Sequence, residues 1–396
     1  MRRIGIIGCG TAGIQLAYSL KNDFDVTVHH YEQPQDILNG RIRSTQVHFH
    51  PTLERERRFN MPAEDSAPPI RSIHFHLGQQ KLFTGNLTGI AASVDQRLGF
   101  AESIHDLASQ GVKFVHGRLK QEDLLELTHS YNLIIDTTGK AGPLAPFPVE
   151  TGLTPYQAPQ RKCIVGYFTG VQPVKPEGIS ITVLPGNGEM FEIPAITDSG
   201  LATILFIEAV PEGILDVFKG IKNSSEFMAR MAKVIEEHFH PIFERIDMDR
   251  FALIAENAFL QTAITPVIHR PYAILGGTLI LGCGDSVFLS DPITGQGCNT
   301  ASYAAEQLYE TLITHKESTW DEAVGIDYWN RTKHYITAVT EWTNAMTEPL
   351  PEHIAKLLMQ AASDQMTADG IAAWFEDPTK AHKAFHEHSI NQPFLR

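Results

Sequence analysis

The run Gly8-Cys9-Gly10-Thr11-Ala12-Gly13 constrains the fold of this chain more than any other segment. It follows the apolar stretch Ile4–Ile7 and leads into a stretch with helical patterning. Glycines at this spacing allow a tight turn, let the backbone approach a pyrophosphate, and let the helix pack on the strand, while the helix N-terminus attracts the anion. A second apolar strand, Asp25–Val28, follows at the distance that a strand-helix-strand unit needs. We therefore predict a dinucleotide-binding fold, with cofactor contacts at Gly8, Gly10, Thr11, Ala12 and Gly13.

A second glycine-rich segment lies far along the chain. A predicted strand ends at Gly284-Asp285, and the loop Pro292–Gly297 leads into a helix from Asn299 to about Leu312. A carboxylate at a strand end can accept hydrogen bonds from sugar or ribityl hydroxyls, and the loop directs free helix N–H groups at a bound anion. Each motif alone could be a structural turn, but together they predict one FAD held at both ends. The contacts predicted at this end are Asp285, Pro292, Gly295, Gln296, Gly297 and Asn299.

Composition narrows the class of protein. The 396 residues carry a formal net charge of -14, and no Lys/Arg run is present to follow a phosphate backbone. We therefore expect no nucleic-acid partner. The four cysteines are scattered without Cys-x-x-Cys spacing, which argues against a zinc site or a disulfide framework and favours a reducing cytoplasm. We also predict no targeting peptide and no membrane contact, since no apolar window is long enough to span a bilayer.

The pattern of strands and helices predicts an α/β protein with a discontinuous cofactor domain. The Rossmann-like FAD-binding domain takes residues 1–45, 90–160 and 270–320. An inserted antiparallel-sheet domain, residues 46–89 and 161–269, binds the substrate, and residues 321–396 form a C-terminal helical region. The His-, Arg- and Pro-rich stretch 34–69 is predicted to leave the nucleotide fold without forming a long helix. A helix is expected from Val94 to Gln110, and another from Ser224 to about His238.

The end of the second strand departs from the usual dinucleotide pattern. An acidic residue often contacts the adenosine ribose there, but this chain has His29 and His30, with Glu32 slightly late. Tight retention of oxidised cofactor is therefore not predicted.

Three His-Phe-His triplets stand at residues 48–50, 74–76 and 238–240. Two such pairs on strands could in principle hold a metal, since residues i and i+2 share a face. No carboxylate recurs at ligand spacing, and the third pair lies at a predicted helix end. We interpret the triplets as partly buried or helix-end histidines and predict no metal site.

The chain resembles the flavoprotein monooxygenases, and among them the oxygenase component of two-component styrene and indole monooxygenases. The resemblance runs along nearly the whole length. Its most specific part is Asp291-Pro292-x-x-Gly295-Gln296-Gly297-x-Asn299-x-Ala301-Ser302-Tyr303-Ala304-Ala305, joined by Val94-Asp95-x-Arg97-Leu98, Thr138-Gly139-Lys140, Glu192-Ile193-Pro194 and the glycine motifs.

The resemblance implies that FAD reduced by a separate NADH-dependent flavin reductase enters the protein, activates O2 and epoxidises a small aromatic substrate. Single-component relatives carry an Asp-Gly pair where this chain reads Asp136-Thr137-Thr138-Gly139, and no second nucleotide fingerprint occurs. Both features favour reduced flavin arriving from outside. Further cofactor contacts are implied at Arg41, Arg97 and Gly139, and a homodimer is possible.

The resemblance also bears on substrate choice. Indole-preferring members carry Ser and Gln at the positions of Ser44 and Gln46, and styrene-preferring members carry Asn at the position of Ser44. His48 is the styrene-type residue. Candidate substrate contacts are Ile70, Ile73 and Ala91, which fall where the indole type is apolar and small. Ser44, Gln46 and His48 are the candidate catalytic residues. The alternative interpretation is that they are ordinary polar residues in a loop-rich region. We predict epoxidation of the indole C2-C3 double bond in preference to the vinyl group of styrene.

Two other functions remain open at this point. One is a flavin reductase-like or prenyl-reducing oxidoreductase on the same fold, and the other is a flavin-binding protein without catalysis. The intact Gly295-Gln296-Gly297 loop argues against the second.

Overall fold

The computed structural model describes residues 1–63 and 65–386, and it contains two large sheets and a helical C-terminal region. Its strands, in chain order, are β1 (Arg3–Ile7), β2 (Asp25–His30), β3 (Ile70–Leu77), β4 (Gln80–Ala91), β5 (Lys113–His116), β6 (Leu133–Asp136), β7 (Lys162–Thr169), β8 (Gly178–Leu184), β9 (Gly188–Thr197), β10 (Gly200–Ala209), β11 (Ala252–Leu253), β12 (Phe259–Ala263), β13 (Val267–Ile268), β14 (Tyr272–Leu275), β15 (Thr278–Gly282) and β16 (Phe288–Leu289). Its α-helices are α1 (Thr11–Leu20), α2 (Pro34–Asn39), α3 (His50–Arg58), α4 (Gln96–Ser109), α5 (Leu124–Leu127), α6 (Ser224–His238), α7 (His240–Phe243), α8 (Gly297–Thr314), α9 (Glu322–Thr347), α10 (Glu352–Ala361), α11 (Gln365–Ala372) and α12 (Pro378–His386).

The first sheet is the predicted nucleotide fold. Its strand order is β14-β15-β6-β1-β2-β5, and every pair is parallel except β14 with β15 at the edge. Ile4 and Ile6 on β1 and Leu281 on β15 are fully buried, as expected for parallel strands covered on both faces. Helices α1 and α8 pack against each other, so both glycine motifs come to the same edge of this sheet.

The second sheet has eight strands in the order β11-β7-β10-β9-β8-β3-β4, with β12 also paired to β7. It was predicted to be antiparallel, and one pair departs from this: β3 runs parallel to β8, with Ser72 opposite Gly178. The long chain segment between these strands crosses the nucleotide sheet before returning, and a connection of that length permits parallel pairing. The sheet is therefore mixed, although its other pairs are antiparallel.

Local sequence signals account for most of the other elements. The Gly186-Asn187-Gly188 turn joins β8 to β9, and both glycines have positive φ, +75° and +130°. Asp95 caps α4 by accepting a hydrogen bond from the Arg97 N–H at 2.9 Å. Within residues 34–69 the only α-helices are α2 and α3, of which the longer has nine residues, Glu64 lying outside the description.

The C-terminal region is helical as far as residue 386. Helix α9 has 26 residues and buries Tyr328 and Trp342, while α11 packs on β4. Residues 387–396 of the predicted helical region lie outside the described residues. Among the helices described, none is both long and apolar enough to cross a membrane.

Candidate flavin and substrate site

A cavity of about 560 Å³ lies where the edge of the nucleotide sheet meets the second sheet. One end is lined by the two glycine motifs and the other by apolar side chains of the second sheet. The sequence-predicted residues on its wall are Gly8, Gly10, Thr11, Ala12, Arg41, Ser44, Gln46, Ile73, Arg97, Gly139, Asp285, Pro292, Gly295 and Gly297. Gly13, His48, Ile70, Ala91, Gln296 and Asn299 do not reach the wall.

The N-terminal motif forms one end of the cavity with glycines that serve different purposes. Gly8 has a φ of +110°, and a Cβ there would lie 2.3 Å from the Thr137 carbonyl oxygen. A Cβ on Gly13 would lie 2.2 Å from the Gly8 carbonyl oxygen. By contrast, a Cβ on Gly10 would meet no heavy atom within 4 Å. Gly8 and Gly13 are therefore needed to build the turn, whereas Gly10 leaves open space beside the helix.

The first turn of α1 also leaves backbone N–H groups available to an anion. Gly10 is its N-cap, and no side chain among the described residues caps the helix there. Unsatisfied N–H groups and the helix dipole together favour a phosphate at this position. The open space at Gly10 is where such a group would approach.

The second motif forms the facing wall. The α8 N-terminus has no side-chain cap from the described residues, and Gly295 before it has a φ of +64°. Asp285 lies close to this helix, since a Cβ added at Gly297 would be 3.9 Å from the Asp285 Oδ1. Burial raises the pKa of Asp285, and Lys140 opposes this shift. The oxygens of this carboxyl group can accept hydrogen bonds at the wall, as the ribityl interpretation requires.

Asn299 lies behind this wall. Its Oδ1 accepts hydrogen bonds from the Thr52 hydroxyl at 2.7 Å and the Phe49 N–H at 3.1 Å. Its Nδ2 donates to the Val47 carbonyl at 3.0 Å and the Gly295 carbonyl at 3.1 Å. Asn299 therefore holds the loop and the 47–52 segment together.

Gln296 is buried behind the same loop. Its side-chain amide donates to the Phe375 carbonyl at 3.0 Å and to the Thr294 carbonyl at 3.3 Å. Phe375 itself is on the cavity wall. The C-terminal helical region thus contributes to the site, which the sequence analysis did not anticipate.

The candidate catalytic residues have unequal positions. Ser44 is exposed and Gln46 is buried, and both line the cavity. The Thr11 hydroxyl donates to the Gln46 Oε1 at 3.3 Å, which joins this segment to the N-terminal motif.

His48 lies outside the wall and contacts other groups. Its Nδ1 is 2.5 Å from Glu56 Oε1, while Nε2 is buried without a hydrogen-bond partner among the described residues. Burial lowers the pKa of His48, but contacts with Glu56 and Cys298 outweigh it and raise the pKa well above the usual value. Because Cys298 is on the wall, it stands between His48 and the cavity.

The apolar end of the cavity is formed by alternate residues of the second sheet. Ile73 was predicted there, and the others were missed: Cys163, Val165, Ile179, Ile181, Phe191, Ile193, Phe206 and Leu260. The sequence contained a signal for these residues, because the pairs 163/165, 179/181 and 191/193 are spaced two apart. Residues i and i+2 on a strand face the same side of a sheet. The Phe191 and Phe206 rings stack at 5.5 Å between centroids.

Ile70 and Ala91 are opposite each other in the β3–β4 ladder and are both fully buried. Neither lines the cavity, and both belong to the same hydrophobic cluster as Ile73, which does. They support the apolar surface without lining it.

Arg97 and Gly139 line the cavity near the nucleotide end. The Arg97 guanidinium is buried, pairs with Asp95 at 2.6 Å and donates to the Gly40 carbonyl at 3.0 Å. Gly139 has a φ of +68°, which suits the turn after β6. Most of the Arg97 hydrogen-bonding capacity thus serves the protein itself.

The region where an adenosine ribose is expected carries an aromatic residue between arginines. Tyr31 is 46% exposed, and the guanidinium carbons of Arg43 and Arg118 lie 5.6 and 5.5 Å from its ring centroid. Arg43 also forms an ion pair with Glu32, and His29 donates to or accepts from the Tyr131 hydroxyl at 2.7 Å. Glu32 and His29 therefore already have partners within the protein.

The three His-Phe-His triplets do not converge. Among the described residues, the one group of three possible ligands is Glu341, His382 and His386, whose ligand atoms lie within 4.8 Å of one another. This group joins α9 to α12 and contains none of the triplet histidines. In it, His382 Nε2 is 2.6 Å from Glu341 Oε2, the geometry of a histidine–carboxylate pair.

Known proteins resemble this chain in sequence. Residues 139–245 match the family model described as "Styrene monooxygenase A putative substrate binding domain". The chain is 31% identical to styrene monooxygenase StyA of Pseudomonas sp, over 97% of this chain and 95% of that protein. The chain belongs to the styrene monooxygenase family. It is 30% identical to the Pseudomonas fluorescens protein of the same name, with the same coverage.

Solved structures show the same fold at low sequence identity. The p-nitrophenol 4-monooxygenase PnpA of Pseudomonas putida DLL-E4 superposes with a TM-score of 0.67 at 13% identity, covering 96% of this chain and 99% of that one. A flavoprotein/dehydrogenase from Cytophaga hutchinsonii gives 0.68 at 15% identity, covering 96% and 92%. The predicted fold class of a Rossmann-like flavoprotein with an inserted sheet domain is confirmed.

Membership of the styrene monooxygenase family confirms the predicted enzyme class, a monooxygenase, and FAD as its cofactor. The site fits this group: the open space at Gly10, the uncapped ends of α1 and α8, and the Asp285 carboxylate match a pyrophosphate, an anionic ring and hydroxyl groups.

Proposed function

We propose that this protein takes up externally reduced FAD and O2 and epoxidises the C2-C3 double bond of indole in preference to the vinyl group of styrene. The observation that carries the proposal is the continuity of one cavity of about 560 Å³ from the glycine motifs to an apolar chamber. A flavin at the motifs would place its ring system near that chamber. The relatives named as styrene monooxygenases support an aryl-alkene substrate.

The residues of this chain divide the task of binding FAD between the two ends. The first turn of α1, with Gly8, Gly10, Thr11 and Ala12, would hold the pyrophosphate, and Asp285 would accept hydrogen bonds from hydroxyl groups. The N-terminus of α8 and the loop at Gly295 would face the negative charge of the reduced ring system. When bound, reduced FAD supplies the activated oxygen atom that is transferred to the substrate.

The apolar chamber would exclude water and orient the ring of the substrate. Ile73, Ile193 and the stacked Phe191 and Phe206 make it flat and apolar, which suits a fused bicyclic substrate. Ser44 and Gln46 are the polar wall residues that we propose as hydrogen-bond partners of the reacting groups. His48 would act through Cys298 and the backbone of its segment, and Ile70 and Ala91 would support Ile73 from behind.

We propose a separate NADH-dependent flavin reductase as the source of reduced FAD. The sequence contains one nucleotide fingerprint and lacks the Asp-Gly pair of single-component relatives. The carboxylate at Glu32 pairs with Arg43, which is consistent with a cofactor that is not retained tightly in its oxidised form.

Parallel turnover measurements test the function. Purified protein, chemically reduced FAD and O2 are given either indole or styrene, and the initial rates are compared. We expect faster oxidation of indole, with indoxyl dimerising in air to indigo, and no NADH oxidation by the protein alone. Faster turnover of styrene would refute the preference, and turnover of neither would refute the epoxidase proposal. NADH consumption by the isolated chain with catalytic FAD would refute the need for a reductase.

The Ser44→Asn variant offers a matched test of the wall residue. Asn is the styrene-type residue at this position, so the ratio of styrene to indole turnover should rise. Because a shape change in an apolar pocket is worth about 1–3 kcal/mol, the shift should be roughly 5- to 150-fold. The exposed Ser199→Asn variant, outside the cavity, should leave the ratio unchanged.

A further inference from the structure

Four charged side chains lie buried between the second sheet and the Pro292–Gly297 loop. Arg161, Glu189, Glu208 and Asp291 are 7%, 7%, 0% and 2% exposed. Glu189 on β9 and Glu208 on β10 are opposite each other in the ladder. The group contains three carboxyl groups but only one guanidinium, so their protonation must be accounted for.

Arg161 is committed to one of the three acids. Its Nε donates to Glu189 Oε2 at 2.9 Å and its terminal nitrogen donates to Glu189 Oε1 at 3.2 Å. This bidentate contact uses the edge of the planar guanidinium, whose two N–H groups match the two carboxylate oxygens. Among the residues that the structure describes, no cation is bonded to Glu208 or Asp291.

The carboxyl groups of Glu208 and Asp291 lie close enough for a hydrogen bond between them. No N–H or hydroxyl group of the described residues donates to either Glu208 oxygen or to Asp291 Oδ2. Two ionised carboxylates cannot hydrogen-bond, and two buried like charges in contact disfavour the doubly ionised state. One proton between the two oxygens satisfies both groups.

The surroundings indicate which acid carries this proton. Asp291 Oδ1 accepts a hydrogen bond from the Ile293 N–H at 3.1 Å, which stabilises its charged form. Burial, Asp291 and Glu189 raise the pKa of Glu208 well above the usual carboxyl value. Burial also raises the pKa of Asp291, but Glu208, the Ile293 N–H and Arg161 oppose that shift. Cys163, opposite Glu208 on β7, is a further titratable neighbour, and the charge of Lys140 acts on Cys163.

We propose that Glu208 is a positioning residue that stays protonated and donates this proton in a hydrogen bond to Asp291, fastening the Pro292–Gly297 loop to β10. Asp291 caps the short helix Pro292–Thr294, and Pro292, Gly295 and Gly297 line the cavity. Loss of the proton at alkaline pH places two anions side by side and loosens the loop. The part of this inference that concerns the cofactor rests on the proposed contact of flavin with that loop.

Infrared spectroscopy tests the shared proton without any flavin. The parent protein at neutral pH should show a carbonyl stretch of a protonated carboxylic acid that disappears in Glu208→Gln. The control Glu212→Gln changes an exposed carboxylate shortly after the same strand and should leave the band unchanged. Absence of the band from the parent, or its persistence in folded Glu208→Gln, would overturn the proposal. Absence of the band from the parent refutes the shared proton even where the variant does not fold.

The pH dependence of the loop tests the positioning role. In Glu208→Gln the side-chain amide donates to Asp291 at every pH, so hydrogen exchange in residues 293–297 should lose the alkaline acceleration seen in the parent, after correction for intrinsic rates. Affinity for reduced FAD should fall about 5-fold or more with rising pH in the parent and stay level in the variant. Equal pH slopes for exchange in the two proteins would overturn the positioning role. If hydrogen exchange behaves as expected in both proteins but the parent binds no flavin, the proposed flavin site is refuted and the positioning role of Glu208 is not.

Discussion

The Thr52 hydroxyl donates a hydrogen bond to Asn299 Oδ1 at 2.7 Å, although 247 residues separate the two in sequence. This contact joins α3, which follows the segment that carries Gln46 and His48, to the first turn of α8. Substitution Asn299→Leu removes four hydrogen bonds: those donated by Thr52 and Phe49 and those accepted by the Val47 and Gly295 carbonyls. We expect a loss of about 2–4 kcal/mol in the free energy of unfolding, measured with urea, and weaker binding of reduced FAD.

The control for this prediction is Thr52→Val, which removes one hydrogen bond at similar volume. It should cost about 1–2 kcal/mol. A loss for Asn299→Leu no larger than that of Thr52→Val would show that the other three hydrogen bonds carry little weight.

Gly10→Val should abolish flavin binding without unfolding the protein. A side chain at Gly10 projects into open space beside α1, and the extended backbone there accepts a branched residue. The valine would occupy the approach to the helix N-terminus. Fluorescence or absorbance titration with FAD measures the loss, and thermal unfolding should stay near that of the parent. Unchanged affinity for reduced FAD in Gly10→Val would place the pyrophosphate elsewhere.

Gly8→Ala provides the matched contrast. Its Cβ would lie 2.3 Å from the Thr137 carbonyl oxygen, and the φ of +110° is unfavourable for alanine. We therefore expect this smaller substitution to lower the melting temperature, which Gly10→Val should not do.

His76 should make the protein less stable in acid. Burial, with Lys81 and His74 nearby, lowers the pKa of His76 from 6.5 to about 4. Because the folded value lies below the unfolded one, this contribution to stability is complete above about pH 6.5 and is lost as the pH falls through about 4. His76→Gln should therefore retain about 1–2 kcal/mol more of its neutral-pH stability at pH 4.5, allowing for partial solvent screening.

Urea unfolding at pH 7 and pH 4.5 measures this difference. His240→Gln is the control, since His240 belongs to another His-Phe-His triplet and its side chain is 61% exposed. If both variants lose as much unfolding free energy between pH 7 and pH 4.5 as the parent does, His76 does not cause the loss of stability in acid.

Phe191→Ala should admit larger substrates. Phe191 lines the apolar chamber and stacks on Phe206, so its removal enlarges the chamber at a cost of about 2–4 kcal/mol in stability. In competition between indole and 2-vinylnaphthalene, the variant should shift toward the larger alkene. Phe168→Ala, in a separate hydrophobic cluster, should lose comparable stability without the shift. The same shift in both variants would assign it to general loosening.

Oxygenation should not depend on a bound metal. Among the described residues, the one cluster of three possible ligands is Glu341, His382 and His386, and none of these lines the cavity. Treatment with a chelator should leave the rate with chemically reduced FAD unchanged. Loss of activity that zinc or iron restores would contradict this.

Short-range patterns were sufficient to predict the nucleotide sheet. The glycine turn after β1 and the apolar run of β2 each act within a few residues, and the structure follows them. The same local logic predicted that Gly10 and Gly297 reach one site, because parallel strands bring their carboxyl ends to one edge of a sheet.

Long-range contacts account for what the sequence did not predict. The parallel pairing of β3 with β8 depends on a return of the chain from another sheet, and nothing near Ser72 encodes it. His48, Ile70 and Ala91 were predicted as site residues from the family resemblance alone. Whether their side chains reach the cavity wall depends on the tertiary packing around them. Phe375 was missed because its position depends on the packing of α11 and α12 onto the remainder of the chain.

The hydrogen bond from Gln296 to the Phe375 carbonyl has a consequence for biosynthesis. Gly10 and Phe375 line the same cavity, so its two walls come from opposite ends of the chain. A nascent polypeptide still attached to the ribosome can form β1, α1 and β2 early, but it cannot enclose the cavity until residue 375 has left the exit tunnel. The enclosed cavity therefore forms only after residues 10 to 375 have all been synthesised.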